Sequence, residues 1–138
     1  MAARGERWFV AGSLGMIAAG VLHALGNLEG PPPEAAAAQQ AMREFHVTVL
    51  GLTWSLHDAY LTLSLSYSLL SIWIGALGLA LLAIFRPPER ALSRLGVWFA
   101  TAPALLLVIA FVFRIAPPLY VYTVVTALYA TSALRARG

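Results

Sequence analysis

The stretch AYLTLSLSYSLLSIWIGALGLALLAIF, residues 59–85, holds no charged side chain. It exceeds the roughly 20 apolar residues that a helix needs to cross a hydrocarbon core about 30 Å thick. Backbone in such a core has no water to bond to, so a run of this kind must satisfy its own hydrogen bonds as a helix. Working outward, similar runs occupy residues 8–28, broken only by His23, residues 95–113 and residues 115–134. The expected fold is therefore all-α: one membrane domain over residues 1–138, a four-helix transmembrane bundle with a short extra helix in the outer connection, residues 29–58.

Composition agrees. Apolar residues make up 60% of the chain and charged residues 11%, against about 45–50% and about 25% in soluble domains. The formal charge of +3 rests on arginine alone, since the sequence has no lysine. These arginines are spread along the chain, which argues against nucleic acid as a partner. Cysteine is absent, which excludes disulfides, thiolate metal sites, a cysteine nucleophile and covalently attached c-type haem.

Flanking arginine prefers the cytoplasmic side of a membrane. Arg4 and Arg7 precede the first run, Arg86, Arg90 and Arg94 separate the second from the third, and Arg135 and Arg137 follow the fourth. Only Arg43 and Arg114 fall on the other side, so both termini are expected in the cytoplasm. Pro87 and Pro88 stop one helix, and Ser93 is a candidate cap for the next. A competing reading of the first run is a signal peptide cleaved near Ala24-Leu25-Gly26. Small residues four apart, Ala11, Gly15 and Ala19, favour a retained helix packed against a neighbour. In the outer connection Pro31-Pro32-Pro33 forces an extended exit, and Glu34 opens an Ala/Gln run of high helix propensity through Arg43 and Glu44. Met42, Phe45 and Val49, spaced by three and four, predict an apolar helical face there; the alternative is a loosely ordered Ala-rich loop.

Along the second run and its entry, His57, Leu61, Ser64, Ser68, Ser71, Gly75 and Gly78 follow one helix face. Such a seam of small and hydroxyl side chains is what helix packing in lipid requires. Ser55 and Asp58 match an N-capping pattern, and Asp58 complements the positive end of the helix dipole. With the sides assigned, the polar residues gather toward the outer ends of the runs: His23, Asn27, Trp54, His57, Asp58, Tyr60, Ser64, Tyr67, Arg114 and Tyr122. Ionisable groups in a membrane usually face a bundle interior or a cavity, so these ten are the candidate ligand-binding residues of an outward-facing polar pocket. Duller roles compete: interface anchoring for Trp54 and Tyr120, snorkelling for Arg114, and hydrogen-bonded packing for His23.

The His23-Ala24-Leu25-Gly26-Asn27 stretch resembles the His-x-x-Gly-His end of the first helix in a family of small four-helix bacterial membrane proteins distantly similar to DoxX-like proteins. Ser55-Leu56-His57-Asp58-Ala59-Tyr60-Leu61 is similar to that family's Ser-Tyr-Trp-Asp-Phe-Tyr-Leu motif. Asn27 stands where the family has a second His, His57 where it has Trp, and Trp54 where it usually has Arg. The resemblance implies a four-helix membrane fold and points at His23, Asp58 and Tyr60, without supplying an activity; the expected location is the inner membrane of a bacterial cell, crossed several times.

Function then divides into classes. The leading expectation is binding of a small lipophilic molecule or a partner helix in the outer pocket, at the lipid bilayer. A second is a membrane-embedded enzyme, an isomerase or cyclase acting on a lipid or isoprenoid, with Asp58, His57 and His23 as catalytic acid/base candidates. A third is a scaffold subunit of a homo-oligomer or larger membrane complex. Haem or metal ligation by His23, His46 and His57 lacks the paired central histidines of a membrane haem, so neither a metal nor a cofactor is expected.

Overall fold

The structure, a computed structural model, describes residues 3–29, 32–112, 114 and 116–137. Among these residues the elements run α1 (Glu6–Gly26), α2 (Pro33–Glu44), β1 (His46–Val49), β2 (Leu52–Ser55), α3 (Leu56–Phe85), α4 (Glu89–Val112) and α5 (Ala116–Arg135). The protein is predominantly helical, as the apolar runs predict. Three helices, α1, α3 and α4, are long and apolar enough to cross a membrane. The fourth expected span, α5, has the length but not the apolar content, because Tyr120, Tyr122, Tyr129 and several Thr and Ser residues dilute its aliphatic side chains.

The chain divides into two units, one comprising Met1–Ala19 and Ser71–Gly138, the other Gly20–Leu70. In the first, segments of α1, α3, α4 and α5 surround an aromatic cluster. Phe9 meets Phe99 at 5.0 Å and Tyr129 at 5.2 Å between ring centroids, both edge to face, a geometry that adds about 0.5–1.5 kcal/mol per pair beyond burial. Phe9 and Tyr129 are fully buried. The buried Tyr129 hydroxyl donates to Ser13 Oγ at 3.2 Å, so the polar end of the cluster is satisfied.

Small residues set how closely these helices approach. A Cβ on Gly75 would run into the Ser13 carbonyl and Ile17 of α1, and one on Gly96 would lie 2.9 Å from the Ala133 nitrogen of α5. Beside Gly96, Ser93 Oγ donates to the Ala133 carbonyl at 2.9 Å. Ser93 thus does not cap the start of α4; it donates instead to a carbonyl in the last turn of α5. With Leu92 N–H already bonded to the Pro88 carbonyl, α4 starts directly after the prolines and Ser93 lies inside it. On α1 the buried positions are Phe9, Gly12, Ser13, Met16 and Gly20, whereas Ala11, Gly15 and Ala19 are only half-buried. The packed face is therefore rotated by about one residue, or about 100°, from the expected small-residue row. The α3 seam is as expected: Ser64, Ser68, Ser71, Gly75 and Gly78 are buried, His57 and Leu61 half-buried.

In the second unit the outer connection differs from expectation. The short helix α2 is present, but it ends at Glu44, and Phe45 is extended with φ −80° and ψ 114°. Val49 belongs to an antiparallel hairpin, with Val47 opposite Trp54 and Thr48 opposite Thr53, and Phe45 leads into it, its carbonyl accepting from Leu56 N–H at 2.8 Å. The spacing of Phe45 and Val49 fits a helical period of four as well as a strand period of two, and β-branched Val47, Thr48, Val49 and Thr53 decide for the strand. Leu50 at φ 52° and Gly51 at φ 78° form the turn; two residues with positive φ match the right-handed twist of the flanking strands.

Candidate functional site

The end of α1 leaves backbone carbonyls without intrahelical partners. Asn27, one residue beyond the helix, answers one of them, with Nδ2 donating to the His23 carbonyl at 2.8 Å. That bond orients the amide, so Oδ1 is its acceptor end. Ser64, buried on the α3 seam, reaches both residues: its Oγ lies 3.0 Å from Asn27 Oδ1 and 2.9 Å from His23 Nε2. A hydroxyl has one proton to give. Since Asn27 Oδ1 can only accept, Ser64 donates to it, and His23 Nε2–H must donate to Ser64. In the neutral ring this makes the imidazole the Nε2–H tautomer, and Nδ1 has no partner among the described residues.

Tyr67, one turn along from Ser64, meets the His23 ring edge to face at 5.1 Å, and Ser68 Oγ donates to the Ser64 carbonyl at 3.1 Å. His23 itself is exposed, although its anchoring serine is buried. The arrangement is thus an orientated imidazole on an exposed residue, held by Ser64 and Tyr67 of α3, with one ring nitrogen left for a partner. It is not a serine–histidine nucleophile. That chemistry needs Ser64 to donate to the imidazole, whereas the proton goes to Asn27.

Asp58 is occupied elsewhere. Ser55 Oγ donates to Asp58 Oδ2 at 2.7 Å, Ser55 N–H donates to the same oxygen at 3.2 Å, and Asp58 N–H donates to Ser55 Oγ at 3.0 Å. This is a reciprocal capping box at the start of α3, as the sequence predicts. No hydrogen bond or ion pair joins Asp58 to His23 among the described residues. Asp58 precedes Ser64 by six positions, which places the two about 9 Å apart along α3 and about 120° apart around it. His57, seven before Ser64, shares its face.

The other sequence candidates are more dispersed. Trp54 is half-buried on β2 and Tyr60 is exposed on α3. Arg114 and Tyr122 belong to the other unit. There Arg114 is an exposed turn residue at φ 54°, and Tyr122 is buried on α5. His46 lies on the hairpin with Nδ1 2.8 Å from the Glu44 carbonyl. Among the described residues no three of His, Asp and Glu gather as a metal-ligand group. The first unit also holds an open, largely apolar cleft of about 580 Å³ bordered by Leu81, Phe85, Arg90, Arg94 and Trp98. Nothing in the spacing of those residues points to a cleft in advance. Comparison with protein-family models, with curated proteins and with solved structures finds no match.

Proposed function

We propose that the chain is an integral membrane protein that binds a small lipophilic molecule through a hydrogen-bond donor placed on His23 Nδ1. In this reading α5 crosses the bilayer as a fourth span, and the arginine distribution puts both termini in the cytoplasm of a bacterial cell. The 20 residues of α5 reach about 30 Å, and its Tyr, Thr and Ser side chains are tolerable in a span that packs against neighbours. The observation that carries the binding function is the Ser64 bridge. It spends both polar atoms of Asn27 and one nitrogen of His23 within the protein, and leaves the other nitrogen, on an exposed residue, without a partner among the described residues. An amphiphile with a hydroxyl head and an apolar tail fits that chemistry. The capped Asp58 lends no comparable support to the acid/base reading.

The test is thermal stabilisation of the bilayer-reconstituted protein by farnesol, compared with farnesyl methyl ether, which keeps the tail and lacks the donor. Stabilisation by farnesol alone, abolished in His23→Ala, is the expected result. Equal shifts with the ether, or an undiminished farnesol shift in His23→Ala, would overturn it.

A further inference from the structure

The hairpin of β1 and β2 is amphipathic. Alternation along the strands places Phe45, Val47, Val49, Leu52 and Trp54 on one face. The other face carries His46, Thr48, Thr53 and Ser55, with the Thr48 and Thr53 hydroxyls 2.8 Å apart. On the apolar side Phe45 is 59% and Leu52 67% exposed, and Leu50 at the tip is 97% exposed. An isolated two-stranded hairpin is barely stable in water, and this one keeps a leucine in the left-handed region, where Asn or Gly would form the turn more readily. Its fold and its surface both ask for an apolar partner.

We infer that this face lies on the bilayer, as a membrane-interface anchor made from a hairpin rather than from a helix. The inference rests on the membrane reading above. β2 ends at Ser55 and α3, apolar enough to cross a membrane, begins at Leu56, so the hairpin sits where that helix meets the bilayer surface. Strands of four residues place the tip within about 13 Å of the first turn of α3. Residues 45–55 include no Asp, Glu, Lys or Arg to oppose insertion. Trp54 is of the residue type that favours this depth. The unpaired outer edges of both strands find donors and acceptors among headgroups and water but not in the hydrocarbon, so the hairpin lies in the interface and does not plunge into the core.

The absence of native cysteine makes the experiment direct. The full chain carrying Leu52→Cys, Thr53→Cys or Leu69→Cys is labelled with an environment-sensitive dye. It is then reconstituted into phosphatidylcholine vesicles with a doxyl quencher near the headgroup, with a mid-chain doxyl quencher for position 69, or with iodide in the buffer. The label at position 52 should be quenched by the doxyl lipid about twofold or more over that at the neighbouring position 53, with iodide showing the reverse order. Iodide access at 52 with doxyl quenching retained at 69 would overturn the anchor while leaving the membrane span intact. Loss of doxyl quenching at 69 would overturn the membrane reading, and the anchor with it. A label at 52 shielded from both quenchers would mean that protein, such as a second copy, covers the face, and would also overturn the proposal.

Discussion

Ser64 gives its single hydroxyl proton to Asn27, 3.0 Å away, and in doing so settles which nitrogen of His23 is protonated. The relationship is readable by nitrogen NMR of the bilayer-embedded protein labelled at histidine. The expected spectrum assigns the protonated, pyrrole-type nitrogen of His23 to Nε2 and the unprotonated one to Nδ1. A protonated Nδ1 in the neutral ring would contradict the assigned chain of donors.

Removing the bridge should be costly out of proportion to the atoms lost. Ser64→Ala leaves both the Asn27 acceptor and the His23 Nε2–H donor without their partner, so a loss of about 1–2 kcal/mol is expected in reversible unfolding from bilayer or detergent. Ser66→Ala, on an exposed position of the same helix, should stay within about 0.5 kcal/mol of the parent.

Two glycine-to-alanine changes separate close packing from mere helicity. Gly75→Ala drives a methyl group at the Ser13 backbone and Ile17, which neither can readily yield, and should destabilise by about 1–3 kcal/mol or more. Gly26→Ala meets open space and should be neutral or stabilise by up to about 1 kcal/mol through helix propensity. Equal effects in the same unfolding assay would remove the packing argument.

The capping box makes a coupled pair. Ser55→Ala should cost about 1 kcal/mol, and adding Asp58→Ala should cost less than its effect alone, because the two changes remove shared hydrogen bonds. Asp58→Asn should leave the farnesol-induced thermal shift in place. Its disappearance would return Asp58 to the ligand site.

At the hairpin turn, Leu50 holds a conformation that costs an L-residue about 1–2 kcal/mol. Leu50→Gly should relieve most of this, and hydrogen exchange of the β1 and β2 amides in detergent should slow. The same variant should weaken contact of the hairpin with the bilayer, since the most exposed apolar side chain is gone.

Much of this could be read in the chain itself. Uncharged runs of helix-spanning length located α1, α3 and α5 to within three residues, because backbone satisfaction and apolar content act along a continuous segment, whereas α4 begins six residues before its run, at Glu89. The Ser55–Asp58 box was legible for the same reason, its partners being three residues apart. The seam on α3 was legible because six small or polar residues agree on one helical phase.

The rest needed positions that are distant in the chain. On α1 a shift of one residue in phase turns the helix by about 100°, and small side chains occupy both candidate faces, so only the packing of Gly75 on Ser13 and of Phe9 on Phe99 and Tyr129 selects one. Phe45 and Val49 satisfy two periods at once, and cross-strand pairing broke the tie. The sequence alone determined that this protein is helical, strongly apolar and polar at certain helix ends. Which nitrogen of His23 remains available was decided by tertiary structure, because one hydroxyl proton shared between groups 37 and 41 residues from Ser64 has a direction only once both stand within bonding distance.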